Sequence, residues 1–352
     1  MGISNLYDII RDKAPECFID VKLQDLRGFT LAIDVSIYLY RYIRSTGDGW
    51  LDLFLLMFCK FKMFGIIPIF IFDGVNVHEE KKVEQASRRA NMSKLKHKLE
   101  VIKLLKDSCL SYRGRDLSLD LQEQFKLLFP KENINIYDSM KVVEVCNNYI
   151  SKLSKQTIDI GPECKEQLKK LIDICGFSYI QCDGEAEGVC SIMCKEKIVD
   201  GVLSEDTDTL AYGASILCSK LDIRRDTVIL LKLKDILKKL EMTHESFLDM
   251  CILLGCDYNI RPKGFGPKYT YKMIQKYQNI ENIENNTSED IKTSKYEVCR
   301  DIFTNISLID MEQIKKDFLC KPLNEDILKD FLKEINTNID YEFIINAWDP
   351  NK

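Results

Sequence analysis

The chain has 352 residues, is 45% apolar and carries a net charge of −5. That length holds one large domain or two of ordinary size with a substantial core, and the acidic balance excludes a protein that coats polyanions through bulk charge. The 14 cysteines include no C-x-x-C pair, and His78, His97 and His244 stand far apart, which argues against a zinc site and for small core residues in a reducing compartment.

The N-terminus is polar and charged within its first residues, so no signal peptide is expected. FTLAID (29–34) reads as a strand leading into a helical pattern through about Tyr42. The run at 50–65 reads as a helix closed by Gly65, and Lys60 and Lys62 rule it out as a membrane span. IIPIFIFDG (66–74) reads as a buried strand ending in a turn. A basic helical stretch follows over about 79–107. From Lys81 to Lys106 it holds nine Lys or Arg against Glu84 and Glu100, which suits a solvated helix face or a polyanion laid along it.

The segment 107–161 is polar and irregularly patterned and is expected to be a mobile insertion with some helix. Order returns with a helix at 163–176, a strand at 177–182, a helix at 185–197 and a strand at 200–204. A turn with a short helix at DTDTLA and two further strands, SILCSK and TVILLKL, come next. From Leu233 the pattern is helical, with NIENNTSED (282–290) expected as a surface loop. Strands alternating with helices imply an α/β fold with a largely parallel sheet.

Seven carboxylates recur just past the apolar runs: Asp34, Asp73, Glu185, Glu187, Asp206, Asp208 and Asp257. Each has an ordinary reading. Asp34 suits a helix N-cap, Asp73 a turn, and Glu185 and Glu187 the positive end of a helix dipole. SEDTDTL is harder to explain away, because Glu205, Asp206 and Asp208 crowd one turn after a strand and call for a cation. An open α/β sheet binds ligands outside the carboxyl ends of its strands, so the acids of neighbouring strands would converge there. Enough acids for two Mg²⁺ ions describe a site that hydrolyses phosphodiesters. In IRPKGFGPKYTYKMIQKY (260–277), Gly264 and Gly266 flank Phe265 ahead of a proline suited to a helix start, with Lys268 alongside. Backbone N–H groups there suit a phosphate, although such turns also occur for packing alone.

Taken in order, MGISNLYDIIRDKAP, AIDVSIYLY, FIFDG, GEAEGVC, SEDTDTLAYG, CILLGCDYN and GFGPK resemble the flap endonuclease family of structure-specific 5′ nucleases, the XPG-type family that includes the excision-repair nuclease. The resemblance covers about 1–106 and 163–347. It implies a PIN-like nuclease core with an inserted helical cap and a C-terminal helix–two-turn–helix region. The regions expected are 1–106 with a basic gateway helix, 107–161 as the cap, 162–232 as internal nuclease region and 233–352 as the duplex-binding part.

The resemblance also implies roles. Asp34, Asp73, Glu185 and Glu187 would serve one Mg²⁺ and Asp206, Asp208 and Asp257 a second, with Mn²⁺ as a substitute. Gly2 would form the mature N-terminus near the active site. Tyr40 would stack on the base beside the scissile phosphate. Gly264, Gly266 and Lys268 would hold duplex backbone, with a K⁺ ion. The catalytic basic residues of the gateway helix would come from Lys81 or Lys82 and from Arg88 or Arg89. The expected protein is a monomeric, Mg²⁺-dependent endonuclease acting on 5′ flaps and junctions in DNA replication and repair, in a nucleus or a host nucleus, with the cytoplasm as the alternative. A non-catalytic junction-binding protein and a single-strand ribonuclease of the related fold are the other classes, disfavoured by the full acid set and by GFGPK. The sequence departs from the family in the second gateway basic residue, in an insertion of intermediate length, and in lacking the sliding-clamp motif after Trp348.

Overall fold

The computed structural model describes residues 2–75, 78–112, 116–135, 137–291, 294–305 and 321–349. The expectations on the initiator Met1 and on the chain end at 350–352 therefore lie outside the described residues, as do 306–320 within the C-terminal region. The first elements are α1 (Leu6–Lys13), β1 (Ile19–Lys22), β2 (Thr30–Asp34), α2 (Val35–Thr46), α3 (Trp50–Phe64) and β3 (Ile67–Phe72). Next come α4 (Glu79–Ser111), α5 (Leu119–Leu128), α6 (Ser139–Gln156) and α7 (Pro162–Ile174). The rest of the sheet layer follows as β4 (Ser178–Gln181), α8 (Ala186–Lys195), β5 (Gly201–Leu203), α9 (Asp208–Ala211), β6 (Ile216–Asp222) and β7 (Thr227–Lys232).

The seven strands form one sheet in the order β1-β7-β6-β5-β2-β3-β4. The run β6-β5-β2-β3-β4 is parallel, and β7 and β1 add antiparallel at one edge. Central strands of a parallel sheet are covered on both faces and so read as continuous apolar runs. TLAID and IPIFIF fit this, each buried at every position but the first. One face takes α8, where Cys190, Met193 and Cys194 pack with Ala32, Ile69 and Val202. Aromatic contacts from α3 reach the sheet, with the Phe58 and Phe70 rings 5.0 Å apart. Gly65 ends α3 in the left-handed region at φ 67° and lets the chain reverse into β3. The strand β1 is not evident in the sequence. It is a four-residue edge strand with mostly exposed side chains, so no apolar alternation marks it.

The chain divides into two compact units, one of Met1–Tyr42, Asp48–Lys82 and Pro162–Lys352, the other of Ile43–Gly47 and Val83–Gly161. The second departs from the irregular segment expected at 107–161. It is helical, with Leu99, Ile102, Leu105 and Cys109 of α4 packing with Leu121 and Phe125 of α5 and Val142 and Cys146 of α6. Ser118 and Asp138 cap the two following helices through their side chains. The residues 113–115 and 136 of this stretch are outside the description.

After β7 the first unit continues with α10 (Leu233–Leu240), α11 (His244–Leu254), α12 (Pro267–Tyr277), α13 (Ile280–Asn286) and α14 (Tyr296–Thr304). The helix α13 corrects the expected loop at 282–290. Asn279 caps it by accepting the Asn282 N–H at 2.8 Å. A charged clamp joins three of these helices. Arg300 of α14 donates to both oxygens of the buried Asp249 of α11 at 2.6 Å and pairs with Glu281 of α13. Two last helices, α15 (Glu325–Glu334) and α16 (Tyr341–Trp348), return to the sheet layer. Asp52 at the start of α3 accepts from Thr337, and the Trp348 indole donates to the Cys175 carbonyl. No helix of the described residues is long and apolar enough to cross a membrane.

Candidate active site

The strand order places four acidic segments side by side. Asp34 ends β2, Asp73 follows β3, Glu185 and Glu187 follow β4, and Asp206 and Asp208 follow β5. Since β5, β2, β3 and β4 are consecutive parallel neighbours, all four open on the same carboxyl edge of the sheet. Asp257 is the exception. It follows helix α11, not a strand, and comes to the site on the turn leading to α12.

Glu187, Asp206 and Asp208 are all buried, and one carboxylate oxygen of each lies within 4.8 Å of the other two. This triad draws from both of the ligand sets that the family resemblance suggested. Lys81, at the start of α4, ties Glu187 to two further acids: its Nζ lies 2.9 Å from Glu185 Oε2, 3.1 Å from Glu187 Oε1 and 3.6 Å from Asp257 Oδ2. Asp34 accepts the Ser36 N–H at 3.2 Å and the Ser204 hydroxyl at 3.4 Å. Asp73 accepts the Ala186 N–H that opens α8 at 2.9 Å and the Ser36 hydroxyl. The ordinary capping reading of Asp34 is thus also realised. Glu205 stands apart from the cluster, accepting from Arg41 and from the Lys220 N–H.

Burial governs the electrostatics. It raises the Asp208 and Glu187 carboxyls well above the ordinary range, and the Asp206 charge raises both further. Asp34 is pushed up to about 8 by burial and by the charges of Asp73 and Asp206. Burial works against the charge on Lys81, but Glu187 and Glu185 outweigh it and hold the ammonium above its usual value. Even so, both oxygens of Asp208 and Oε1 of Glu185 are buried without a hydrogen-bond partner. Buried carboxylate oxygens left without donors are costly, and a hard divalent cation with oxygen ligands is the group that they fit.

Gly2 lies against this cluster. A Cβ there would meet Asp208 Oδ1 at 2.6 Å and Thr207 Oγ1 at 2.8 Å and would collide with Asp206, and φ is +80°. Only glycine lets the backbone approach so closely. Lys82 points elsewhere, pairing with Glu79 on the surface. Arg88 pairs with Glu84 one turn back, and with Arg89 belongs to the second compact unit. Tyr40 is exposed on α2. In the GFGPK turn, Gly264 takes φ +91°, Phe265 is buried and packs edge-on to Tyr269, and Gly266 is the N-cap of α12. Lys268, Lys272 and Lys276, spaced one turn apart, are exposed along α12.

The sequence reading passed over two tyrosines. Tyr258 donates to Glu185 Oε2 at 2.5 Å, and its hydroxyl lies 2.5 Å from that of Tyr212. Both are buried, and burial raises both phenols. The one signal available was adjacency, since Tyr258 directly follows Asp257.

A mostly parallel α/β sheet that gathers buried acids at its carboxyl edge, Asp208 among them with neither oxygen partnered, is the plan of a PIN-like, metal-dependent nuclease, a hydrolase. Residues 1–95 match the XPG N-terminal domain and 176–257 the XPG I-region. The chain belongs to the XPG-type flap endonuclease family and is a structure-specific nuclease. It is 27% identical over 383 residues to the probable RAD2-like endonuclease 369L of Invertebrate iridescent virus 6, covering 99% of this chain and 92% of that protein. It is 28% identical over 360 residues to Flap endonuclease 1 of Heterostelium pallidum, covering 96% and 82%. The fold is similar to the catalytic core of Rad2 solved in complex with DNA substrate, with a TM-score of 0.62, 18% identity and coverage of 98% and 100%.

The raised carboxyls give a pH test of the cluster. A carboxyl whose folded value exceeds its unfolded value near 4 stabilises the fold fully below that value and loses the contribution as pH rises through the folded value. For Asp34 the window runs from about 4 to about 8. In EDTA, Tm should therefore fall between pH 5 and pH 8.5. Mg²⁺ should recover most of the loss at the upper end and little at pH 5. Melting curves in both conditions measure this. A Mg²⁺ shift that shrinks as pH rises would contradict the cluster as described.

Proposed function

We propose that this nuclease is a Mg²⁺-dependent DNA endonuclease that cuts at 5′ flaps by two-metal phosphodiester hydrolysis, with Asp34, Asp73, Glu185, Glu187, Asp206, Asp208 and Asp257 as the ion-holding set. The observation that carries this reading is the triad of Glu187, Asp206 and Asp208, buried together with the Asp208 oxygens unpartnered. When bound, the ions supply an activated water and charge neutralisation at the phosphorus and the departing 3′ oxygen. Lys81 adds a fixed positive charge beside the acids, suited to the charge that grows on the phosphate in the transition state. Gly2 keeps a side chain out of the same space. Products are a 5′-phosphate and a 3′-hydroxyl.

DNA is the partner in this reading. The turn at Gly264 and Gly266 offers backbone N–H groups at the start of α12, with Lys268 beside them, to one strand of a duplex, and a K⁺ ion suits the same turn. Tyr40 offers an exposed ring for base stacking. The second compact unit supplies the gateway helix and cap, with Arg88 and Arg89 as phosphate contacts. A monomer acting in a nucleus or host nucleus completes the proposal.

The experiment is a panel of 5′-flap, nicked, bubble and single-stranded DNA incubated with the purified protein in Mg²⁺ or EDTA. Flap DNA should be cut fastest and only with metal. Equal cutting of single-stranded DNA, or cutting in EDTA, would remove the proposal. The grip on duplex has its own test. A side chain at Gly266 meets nothing within 4 Å and φ there is −69°, so the fold accepts Gly266→Val. This variant should bind flap DNA about tenfold more weakly, or ~1.4 kcal/mol, and retain most of its cleavage rate at saturating protein. Unchanged affinity would take the turn off the DNA surface.

A further inference from the structure

Two donors in the acid cluster act on Glu185, and they divide its two oxygens unequally. Oε2 takes two donors, the Tyr258 hydroxyl at 2.5 Å and Lys81 Nζ at 2.9 Å. Oε1 is buried and takes none. The carboxylate is therefore presented with one oxygen saturated and the other left for a ligand.

The donor directions follow from hydrogen count. A carboxylate only accepts, so the Tyr258 proton points at Glu185. The Tyr258 oxygen can then only accept from Tyr212, whose own proton points at Tyr258 across 2.5 Å. The relay runs Tyr212 to Tyr258 to Glu185, and both phenols lie within 4% exposure of full burial. Packing holds it rigid. Phe303 of α14 lies 4.6 Å from the Tyr212 ring and 5.3 Å from the Tyr258 ring, and the His78 ring meets Tyr258 edge-on at 5.9 Å. Lys81 Nζ sits 5.7 Å from the centre of the Tyr258 ring, so one tyrosine orients both the acid and its counter-charge. Tyr258 is also the chain neighbour of Asp257.

We propose that Tyr258, backed by Tyr212, is a positioning residue that turns Glu185 so that Oε1 faces the metal. This rests on the reading of Glu185 as a metal ligand. A neutral phenol suits the task because it fixes the carboxylate without cancelling the charge that attracts the cation. Groups that orient a ligand in this way are commonly worth 10- to 100-fold in metal affinity.

The test uses the full chain and Mn²⁺ as probe, with free Mn²⁺ followed by electron paramagnetic resonance, alongside flap-DNA affinity in Ca²⁺ and the Mg²⁺ concentration for half-maximal cleavage. Tyr258→Phe keeps the ring and its contacts and removes only the hydroxyl. It should weaken Mn²⁺ binding about tenfold and raise the half-maximal Mg²⁺ concentration in parallel, with DNA affinity within twofold of the parent. Tyr212→Phe should produce a smaller change in the same direction. In a Glu185→Ala background, Tyr258→Phe should add nothing. If Glu185→Ala itself leaves Mn²⁺ binding intact, the ligand reading of Glu185 fails. If Glu185→Ala weakens Mn²⁺ binding and Tyr258→Phe does not, the relay alone is overturned. Should Tyr258→Phe fail to fold, Tyr212→Phe decides: unchanged Mn²⁺ affinity rejects the relay and weakened affinity supports it.

Discussion

Asp208→Asn is expected to abolish flap cleavage while the variant still binds flap DNA within about tenfold of the parent, a difference of ~1.4 kcal/mol. The side chain is fully buried between Asp206 and Gly2, and neither of its oxygens has a hydrogen-bond partner. Replacing one oxygen with an amide removes a buried charge that no hydrogen bond in the protein satisfies, and with it a hard-cation ligand. If the site loses one ion, the missing transition-state stabilisation of about 4 kcal/mol corresponds to roughly 10³-fold in rate. The same change relieves repulsion from Asp206, Asp257 and Glu185, the charges that raise the Asp208 carboxyl after burial itself. Metal-free Tm should therefore rise while activity disappears, as is common where an active site is built at the expense of stability. Single-turnover cleavage, DNA binding and melting in EDTA measure the three quantities. Near-parent turnover in Mg²⁺ would remove Asp208 from the metal site. Loss of activity with a collapsed Tm would mean that Asp208 is structural.

The second large effect separates two adjacent lysines. Lys81→Ala should lower the single-turnover rate by about 10²- to 10³-fold, the size seen when one preorganised donor to a developing charge is removed. Lys82→Ala should stay within about twofold, because Lys82 is half exposed and pairs with Glu79 on the same surface turn. Lys81 is nearly buried, and without it Glu185, Glu187 and Asp257 lose their shared counter-charge. Breaking a buried pair of this kind costs about 3 kcal/mol, so metal-free Lys81→Ala should melt several degrees lower. Mg²⁺ should recover much of that difference, since it supplies the charge that the lysine provided. Equal rates for the two variants would show that the placement of Lys81 has no part in the chemistry.

Much of this could be read from residues alone. The strands TLAID and IPIFIF are continuous apolar runs because both faces of a central parallel strand are covered, and the acids follow because that is where such a strand opens to solvent. The helix at 50–64 and its stop at Gly65 follow from periodicity and a left-handed glycine, both local properties. Other features were local and still escaped notice. The second compact unit is marked by the seam Leu99, Ile102, Leu105 and Cys109 and by the caps Ser118 and Asp138, but its polar surface hid a core whose helices meet only in three dimensions. The helix at Ile280–Asn286 is short and rich in asparagine, and its stability comes from Ile280 and Ile283 buried against neighbours, not from propensity.

The sequence by itself determined the α/β class, the order of the central strands and where the seven acids stand along the chain, because periodicity, turn residues and motif order are properties of neighbouring positions. Tertiary structure alone decided which of those acids meet. Strand order put β5 beside β2 and so brought Asp206 and Asp208 to Glu187, across the division that the motifs suggested. It chose Lys81 over Lys82, since one residue of helix turns a side chain by about 100° from the acids to the surface. It also joined Tyr212 to Tyr258 across 46 positions of chain and Tyr258 to Glu185 across 73. Contacts of that range depend on how packed layers align, which no local pattern encodes.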